Sequence, residues 1–555
     1  MKKKLSAFLE PCASSLAYTI TMHPERDPVI ESLAFDSRQV REGSLFFALP
    51  GIHVHGNDFA EKAIAAGAGA VVYEGQLPDA AVAAAKAHKA VLVQTADSRF
   101  AMSPLSAAFY DYPGNKLCVA GVTGTEGKST TVFFCWQLLR FVGKKAGFIS
   151  TVQHSFGGEA YDNSEHQTTP EAPIVQEYLY NMVQNGCEYA VIEASSHGLS
   201  VKTNRLGDVP FDAAAMMNVN HEHLEFHGTY EQYKSDKANL FRNLARHAHE
   251  KFILNTERTI EPVAVVNAAD PAAQYFVQAA SGIPVAGFIP PDILQMPAKP
   301  HENMRLKKTA NDAHEPDAVL FKAGLYAIEN LEETRHGIGF TLKNGETTIS
   351  VNAPVAGSFN ACNITAALII VSGITGKPLE QLARSARSLT PVKGRMCRIT
   401  KGQNFDVFID YAHTPSSFMI VFPPMRKKTK GRIISVFGSG GERDTQKRPL
   451  QGKIASEYSD IVILTDEDPR GEDSMELLEM IAQGCEGMTR GKNLFLIPDR
   501  PQAIRKAFSL AQKDDAVLLL GKSHENSIIY KNKTVPYDET REAETALAEM
   551  GFGKN

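Results

Sequence analysis

Gly121-Val-Thr-Gly-Thr-Glu-Gly-Lys-Ser-Thr130 follows a short apolar run, Leu117 to Val122, and leads into Ser129 to Val142, a helical pattern stopped at Gly143. A strand, a glycine loop and a helix in that order make a phosphate-binding loop. Small residues let backbone N–H groups approach phosphate oxygens, and the helix N-terminus favours the anion. Gly124, Thr125, Glu126, Gly127, Lys128, Ser129 and Thr130 are the candidate ATP contacts. Lys128 suits the β and γ phosphates and Ser129 suits Mg²⁺. The first glycine stands one residue out of Walker register, since the standard pattern wants it at position 122, so the loop is a variant that begins at Thr123. The competing reading is an ordinary glycine turn opening a helix; the strand before and the helix after weigh against it.

Outward from the loop, Tyr189 to Glu193 and Phe211 to Met217 read as strands, and Pro173 to Asn185 as a helix between them. That alternation predicts a parallel α/β sheet. On the N-terminal side, short apolar strands mix with an alanine-rich helical stretch, Phe59 to Ala68, up to the turn-forming Tyr112-Pro113-Gly114. Pro290 to Asp317 reads as a surface excursion. In the last third, Val407 to Tyr411, Arg432 to Phe437, Asp460 to Leu464, Asn493 to Ile497 and Ala516 to Leu520 are predicted strands, with helices such as Arg500 to Gln512 between them. The expected architecture is α/β in three domains. Residues 1–112 form a smaller α/β domain, 113–388 a central phosphate-loop ATPase-like domain on a parallel sheet, and 389–555 a Rossmann-like, doubly wound domain.

A chain of 555 residues exceeds what one core supports. Its 43% hydrophobic and 22% charged content is ordinary for a globular protein, and a formal charge of -5 gives no general attraction to nucleic acid or to an anionic membrane. The seven cysteines stand singly, without zinc-site spacing or disulfide density, and read as reduced thiols. Lys2 to Lys4 resemble the start of an export signal, but Glu10 and Pro11 interrupt the apolar stretch it would need. The expectation is therefore a cytoplasmic protein with no membrane insertion; a monomer is expected too, though nothing in composition or motif sets the oligomeric state.

Further chemistry gathers in Glu193-Ala-Ser-Ser-His-Gly-Leu199, at a predicted strand end, and in Asn218-Val-Asn-His-Glu-His-Leu-Glu-Phe-His-Gly228, which is dense in histidine and carboxylate; Tyr230 to Phe241 carries Lys237. Taken alone, Lys237 reads as a solvated helix lysine. With the loop, these stretches resemble the Mur ligases, a family that joins an amino acid to a growing peptide through an acyl phosphate. The resemblance implies that Glu193 and His223 hold a second Mg²⁺ and that Lys237 is carbamylated by CO₂, an N6-carboxylysine. That inversion of charge suits a cation that prefers hard oxygen ligands. His221 and His227 are expected to be structural.

The resemblance covers the chain from Asp36 to Glu525 with its motifs in order. It implies adenine and ribose contacts from Asn267, Asn360 and Asn363, with Arg395 reaching phosphate and Asp410 the ribose. For the asparagines, helix and turn capping is an equal alternative when the residues are read alone. Asp36-Ser-Arg38, with Ser37 at its centre, is similar to the segment that holds the UDP end of a muramoyl-peptide substrate in the tripeptide-forming branch. Thr168, Thr169, Ser195 and Arg205 are the implied contacts to the muramoyl dipeptide, UDP-N-acetylmuramoyl-L-alanyl-D-glutamate.

The amino-acid end is implied by Gly438 to Asp444, where Arg443 would grip a carboxylate through its fork. Gly521-Lys-Ser-His-Glu525 adds Gly521 and Glu525, with Ser523 where the family has a second glycine. Glu467, Asp468, Pro469 and Arg470 occupy the place of a D-N-P-R motif. Arg470 suits a distal carboxylate, whereas a charged Asp468 would repel one and favour an amine. Lysine, ornithine and meso-diaminopimelate all stay open, with a lean to a basic diamino acid lacking the distal carboxylate. An alternative pairs Arg470 with Asp468 or Asp473 and lets it read no substrate. The implied function is an ATP- and Mg²⁺-dependent amide ligase adding that diamino acid during peptidoglycan precursor synthesis. The rivals are a folylpolyglutamate-synthase-like ligase and a catalytically inactive nucleotide-binding partner of wall enzymes.

Overall fold

The computed structural model describes residues 1–51, 54–163, 167–220, 224–291, 321–334 and 336–553. Two compact units divide the chain, one chiefly Met1–Ile289 with Asn363–Leu382, the other chiefly Ala327–Cys362 with Ala383–Asn555. In the first unit the phosphate-loop strand runs Cys118–Thr123 and its helix Lys128–Phe141, each one residue from its predicted span. The sheet around it is ordered Tyr161–Asp162, Gln153–Ser155, Ala146–Ile149, Tyr189–Glu193, Cys118–Thr123, Ala213–Met216, Val263–Asn267 and Val285–Ile289. The last six of these strands are parallel. From Cys118–Thr123 the chain continues to one side and later returns to the other, so that strand sits at the topological switch, where open α/β sheets bind ligands beyond their C-terminal ends.

Gly121 now has a reason for standing out of Walker register. It lies inside the strand, where a Cβ would meet Leu240 Cδ1 at 2.6 Å and the Phe211 ring at 2.8 Å. It is a packing glycine that lets the helix Tyr230–Leu244 lie close against the sheet, not a phosphate ligand. Near the start of the same strand, buried Asp212 accepts from the Val119 N–H at 2.8 Å and pairs with Lys251 Nζ at 3.0 Å and His249 Nδ1 at 3.0 Å. The base of the sheet is thus pinned by a neutralised carboxylate.

The same unit carries a second sheet, ordered Tyr18–Met22, Val91–Thr95, Ala68–Tyr73, Ser44–Phe47 and Ser32–Ala34, antiparallel only at the first pairing. The predicted helix Phe59 to Ala68 is shorter than expected. A 3-10 turn at Gly56–Phe59 precedes the helix Ala60–Ala65, and Ala68 already begins a strand. Gly67 ends the helix at φ +102°, where a Cβ would fall 2.8 Å from Glu42 Cα.

The C-terminal sheet is ordered Cys397–Ile399, Asp406–Asp410, Ala516–Leu520, Ile433–Phe437, Ile461–Leu464 and Leu494–Leu496, with all but the first strand parallel. The five parallel strands match the sequence reading to within a residue or two, whereas Cys397–Ile399 had no counterpart in it. The antiparallel strands Leu325–Thr334, Gly337–Asn344 and Thr347–Ala353 had no counterpart in that reading. Ile338, Phe340 and Leu342 alternate as buried positions along the middle strand and were the available signal. Residues 292–317 of the predicted excursion lie outside the described residues. Burial pushes the thiols of Cys12, Cys187 and Cys485 up to about 11 and that of Cys362 up to about 12; Cys118, Cys135 and Cys397 are raised by the same cause. No helix among the described residues is long and apolar enough to cross a membrane.

Candidate active site

In the first unit the loop turns on Gly124 at φ +150° and Gly127 at φ +85°, conformations that favour glycine. The segment after the strand Ala213–Met216 stitches it in place. Asn218 O accepts from the Thr125 N–H at 2.9 Å, Asn218 Oδ1 accepts from the Glu126 N–H at 2.8 Å, and the Asn220 N–H donates to Thr125 Oγ1 at 2.8 Å. Asn218 and Asn220, from the histidine-rich segment, thus shape the loop. Ser129 and Thr130 are buried at the helix start, and Lys128 Nζ donates to Thr125 O at 2.7 Å.

Glu193 ends the neighbouring strand in register with Val122, and its Oε2 accepts from the Thr151 N–H at 2.8 Å. Lys237 is 1% exposed, which excludes the solvated-lysine reading. Tyr233, Asp236, Lys237, Leu240, Phe241 and Leu244 form the buried stripe of its helix, and the lysine is carried inward by that stripe. Its Nζ donates to Gly124 O at 2.7 Å and lies 4.5 Å from the centre of the Tyr233 ring. Glu193, Lys237 and the phosphate loop therefore share one edge of the sheet. His221, Glu222 and His223 lie outside the described residues.

Thr169 Oγ1 donates to Glu193 O at 2.7 Å and accepts from the Ser195 N–H at 3.0 Å, while Thr168 is half-buried beside it. Ser195 Oγ caps the short helix Ser196–Leu199 through the Gly198 N–H. Arg205 donates to Thr169 O at 2.8 Å and to Glu171 Oε1 at 2.7 Å, so it braces the Thr169 segment. Ser37 is half-buried in a turn capped by Asp36, whose carboxylate Arg38 holds below the usual range. Asn267 donates to Met217 O at 3.0 Å and accepts from the Ala269 N–H at 3.1 Å, the turn-capping pattern. Asn363 faces the loop: a Cβ on Gly127 would meet its Oδ1 at 2.5 Å.

The second unit holds the remaining candidates. Asn360 is buried and donates to Ala356 O at 2.7 Å. Arg395 stacks 4.7 Å over the Tyr411 ring. Asp410 accepts from the Met396 and Ala412 N–H groups, each at 2.8 Å, and burial raises its carboxyl against the opposing pull of Arg395. Gly438 and Gly441 pack on backbone, where Cβ atoms would meet Thr465 O at 2.1 Å and Pro469 O at 2.0 Å. Arg443 is exposed beside them. Beneath runs Arg448, fully buried, forked onto Glu472 at 2.7 and 2.9 Å and bonded to Gly440 O. Sequence reasoning passed over Arg448 because its partner lies 24 residues on.

Asp468 corrects the sequence reading. Its Oδ1 accepts from Lys522 Nζ at 2.9 Å and from the Ile529 N–H at 2.9 Å, and Lys522 also donates to Glu525 Oε2. The Asp468 charge is therefore partly offset inside the protein by an ammonium that it shares with Glu525, and it does not stand as an isolated anion. Glu525 already holds an ammonium, that of Lys522, and accepts from the Tyr411 hydroxyl at 3.1 Å. Asp473 caps the helix Ser474–Ala482, so neither aspartate pairs with Arg470. Among the described residues no carboxylate lies within 4 Å of the Arg470 guanidinium, and its Nε is buried without a partner. Glu467 Oε2 is likewise buried without a partner, and a Cβ on Gly521 would lie 2.9 Å from it. Ser523 takes the left-handed conformation, φ +51°, that explains the family's glycine, and its hydroxyl bonds to Gly394 O. Burial and the cations Arg395, Lys393 and Lys522 hold His524 well below the ordinary imidazole range.

Three family descriptions match the chain in order: "Mur ligase family, catalytic domain" over residues 29–110, "Mur ligase middle domain" over 122–289 and "Mur ligase, glutamate ligase domain" over 394–523. A Treponema denticola protein named UDP-N-acetylmuramyl-tripeptide synthetase is 50% identical over 535 residues, 94% of each chain. A Geobacillus kaustophilus protein named UDP-N-acetylmuramoyl-L-alanyl-D-glutamate--2,6-diaminopimelate ligase is 35% identical over 532 residues, 96% of this chain and 97% of that one. A solved structure of a ligase of that same name superposes with a TM-score of 0.59 at 26% identity, covering 96% of this chain and 97% of the other.

Proposed function

The chain belongs to the Mur ligase family, and on that footing we propose that it is the ATP-dependent ligase that adds the third amino acid to UDP-N-acetylmuramoyl-L-alanyl-D-glutamate. The incoming substrate is a diamino acid, and the reaction belongs to peptidoglycan precursor synthesis in the cytoplasm. Residues 1–112 hold the UDP end, 113–388 the ATP, and 389–555 the amino acid. The observation that carries this reading is the shared sheet edge of the phosphate loop, Glu193 and buried Lys237.

Mur ligases use ATP and Mg²⁺. Glu193, Ser129 and Lys237 fit a cation at that edge once Lys237 is carbamylated, because a bare buried ammonium would repel it. Bound there, Mg²⁺ would neutralise charge developing on the γ-phosphate. Lys128 would swing from Thr125 O to the phosphate oxygens. The D-glutamyl carboxylate oxygen then attacks the γ-phosphorus, the bond to the β-γ bridging oxygen breaks, and ADP leaves. The amine nitrogen of the diamino acid next attacks the acyl carbon; the amide forms, and inorganic phosphate departs with the bonding electron pair while the amine proton is lost. Much of the rate comes from orienting the substrates out of water. Arg443 would hold the carboxylate of the incoming amino acid, while Arg470 and Glu467 present an unpaired cation and anion to its side chain.

The test is ADP release with ATP, Mg²⁺, bicarbonate and UDP-N-acetylmuramoyl-L-alanyl-D-glutamate, with lysine, ornithine and meso-diaminopimelate supplied separately. Stimulation by one of the three is the expected result. Turnover with none of them, or with a folate acceptor in place of the UDP substrate, overturns the reading. In the same assay Lys522→Met should raise the rate with lysine or ornithine relative to diaminopimelate about tenfold, the ~1.4 kcal/mol of a modest charge interaction, because it exposes the Asp468 charge. Adding Asp468→Asn together with Glu525→Gln should restore the original ratio, since Lys522 holds both carboxylates; an unchanged ratio in the single variant would show that neither carboxylate faces the substrate.

A further inference from the structure

Ser196, His227 and Asp236 come from three separate stretches and meet inside the first unit. His227 Nδ1 lies 2.7 Å from Asp236 Oδ2, and Nε2 lies 3.0 Å from Ser196 Oγ. With Asp236 ionised, Nδ1–H donates to the carboxylate and Nε2 accepts from the serine hydroxyl. The order is that of a hydrolytic triad, yet Ser196 is 2%, His227 4% and Asp236 1% exposed, so no acyl substrate can approach the hydroxyl. What the three do is join two parts of the active-site edge.

At one end, Ser196 follows Glu193-Ala-Ser195, a segment that Thr169 grips at both Glu193 O and the Ser195 N–H. At the other, Asp236 immediately precedes Lys237, and its second oxygen accepts from Gln232 Nε2 at 3.0 Å. His227 also packs edge-on to Tyr233, with ring centres 5.2 Å apart, and the Tyr233 hydroxyl lies 3.0 Å from Thr125 Oγ1 in the loop. The path from Glu193 to Lys237 is thus a continuous buried chain of hydrogen bonds and short covalent steps.

We propose that Ser196, His227 and Asp236 are positioning residues that fix the separation between Glu193 and Lys237. This rests on the reading of those two residues as holders of Mg²⁺. Mg²⁺ demands near-ideal octahedral geometry, so a shift between two of its holders weakens it, and partners of this outer kind are typically worth about 10–100-fold in metal affinity or activity.

The experiment titrates Mg²⁺ calorimetrically into the full chain saturated with ADP, alongside kcat, KM for the amino acid, ADP affinity without Mg²⁺ and the melting temperature. Ser196→Ala removes one hydroxyl and leaves the His227–Asp236 pair intact. It is expected to weaken Mg²⁺ about 10–100-fold and to lower kcat with it, with ADP affinity without Mg²⁺ and the amino-acid KM unchanged. His227→Asn, which keeps a donor to Asp236 but cannot reach Ser196, should behave alike; if it fails to fold, Ser196→Ala carries the test. A lower melting temperature with wild-type Mg²⁺ affinity would make the three residues fold supports and overturn the inference. Glu193→Gln is measured in parallel: wild-type Mg²⁺ affinity there would mean that the metal reading itself fails.

Discussion

Replacing Lys128 by alanine is expected to reduce the rate of ADP release about 10²–10³-fold, the usual cost of removing one charge-stabilising donor from a reacting group. The effect should fall on kcat, because the ammonium gains its partner only as charge accumulates on the transferred phosphoryl group. The KM for the amino acid should not change, since its amine reacts only after that step. Stability should hardly move: Lys128 is half-buried and its ammonium donates to the carbonyl of Thr125, within its own loop. A kcat within a factor of about three of the wild type would remove the Lys128 ammonium from the chemistry.

The largest effect on stability is expected at Glu539. Arg500 and Glu539 are both fully buried, and the guanidinium forks onto the carboxylate at 2.8 and 2.7 Å. Glu539→Ala leaves the cation buried and unpaired, a loss of about 3–5 kcal/mol. Arg500 also donates to Leu520 O at 2.8 Å and Asp466 O at 3.3 Å, the residues just before Gly521 and Glu467. Disturbing it should therefore raise the KM for the amino acid while leaving ADP affinity intact. Chemical denaturation followed by circular dichroism reads the first effect and initial rates the second. The double variant Arg500→Met, Glu539→Leu should recover much of the stability, because it removes both charges. If it is no more stable than the single variant, packing and not the unpaired charge sets the cost.

The elements most legible in the sequence were those whose neighbours lie nearby along the chain. A buried parallel strand reads as an unbroken apolar run, which is why Cys118–Thr123 and Ala516–Leu520 were found almost to the residue. The meander 325–353 passed unread because its alternation is diluted by exposed charged residues such as Glu329 and Glu332. At the site, Lys237 was singled out by resemblance, although the stripe Tyr233, Leu240, Phe241 and Leu244 already turned its face of the helix inward. Asp468 was misread for a physical reason. A charge reads as a charge until its partner is known, and Lys522 stands 54 residues away in a segment whose own motif suggested a different task. Arg448 and Arg500 escaped notice likewise, as cations whose carboxylates are distant in sequence.

The seven thiols have a practical consequence. A thiol that stays protonated and shielded is a slow nucleophile toward alkylating reagents and peroxide alike. One cysteine introduced on an exposed turn would therefore label far faster than the five buried ones, and faster than the half-buried Cys362 and Cys397, whose thiols burial also raises. Fluorophores or spin labels can be attached at one or two chosen positions, with no need to strip the native cysteines first, and with a pair placed in one unit distances there can be followed through a catalytic cycle.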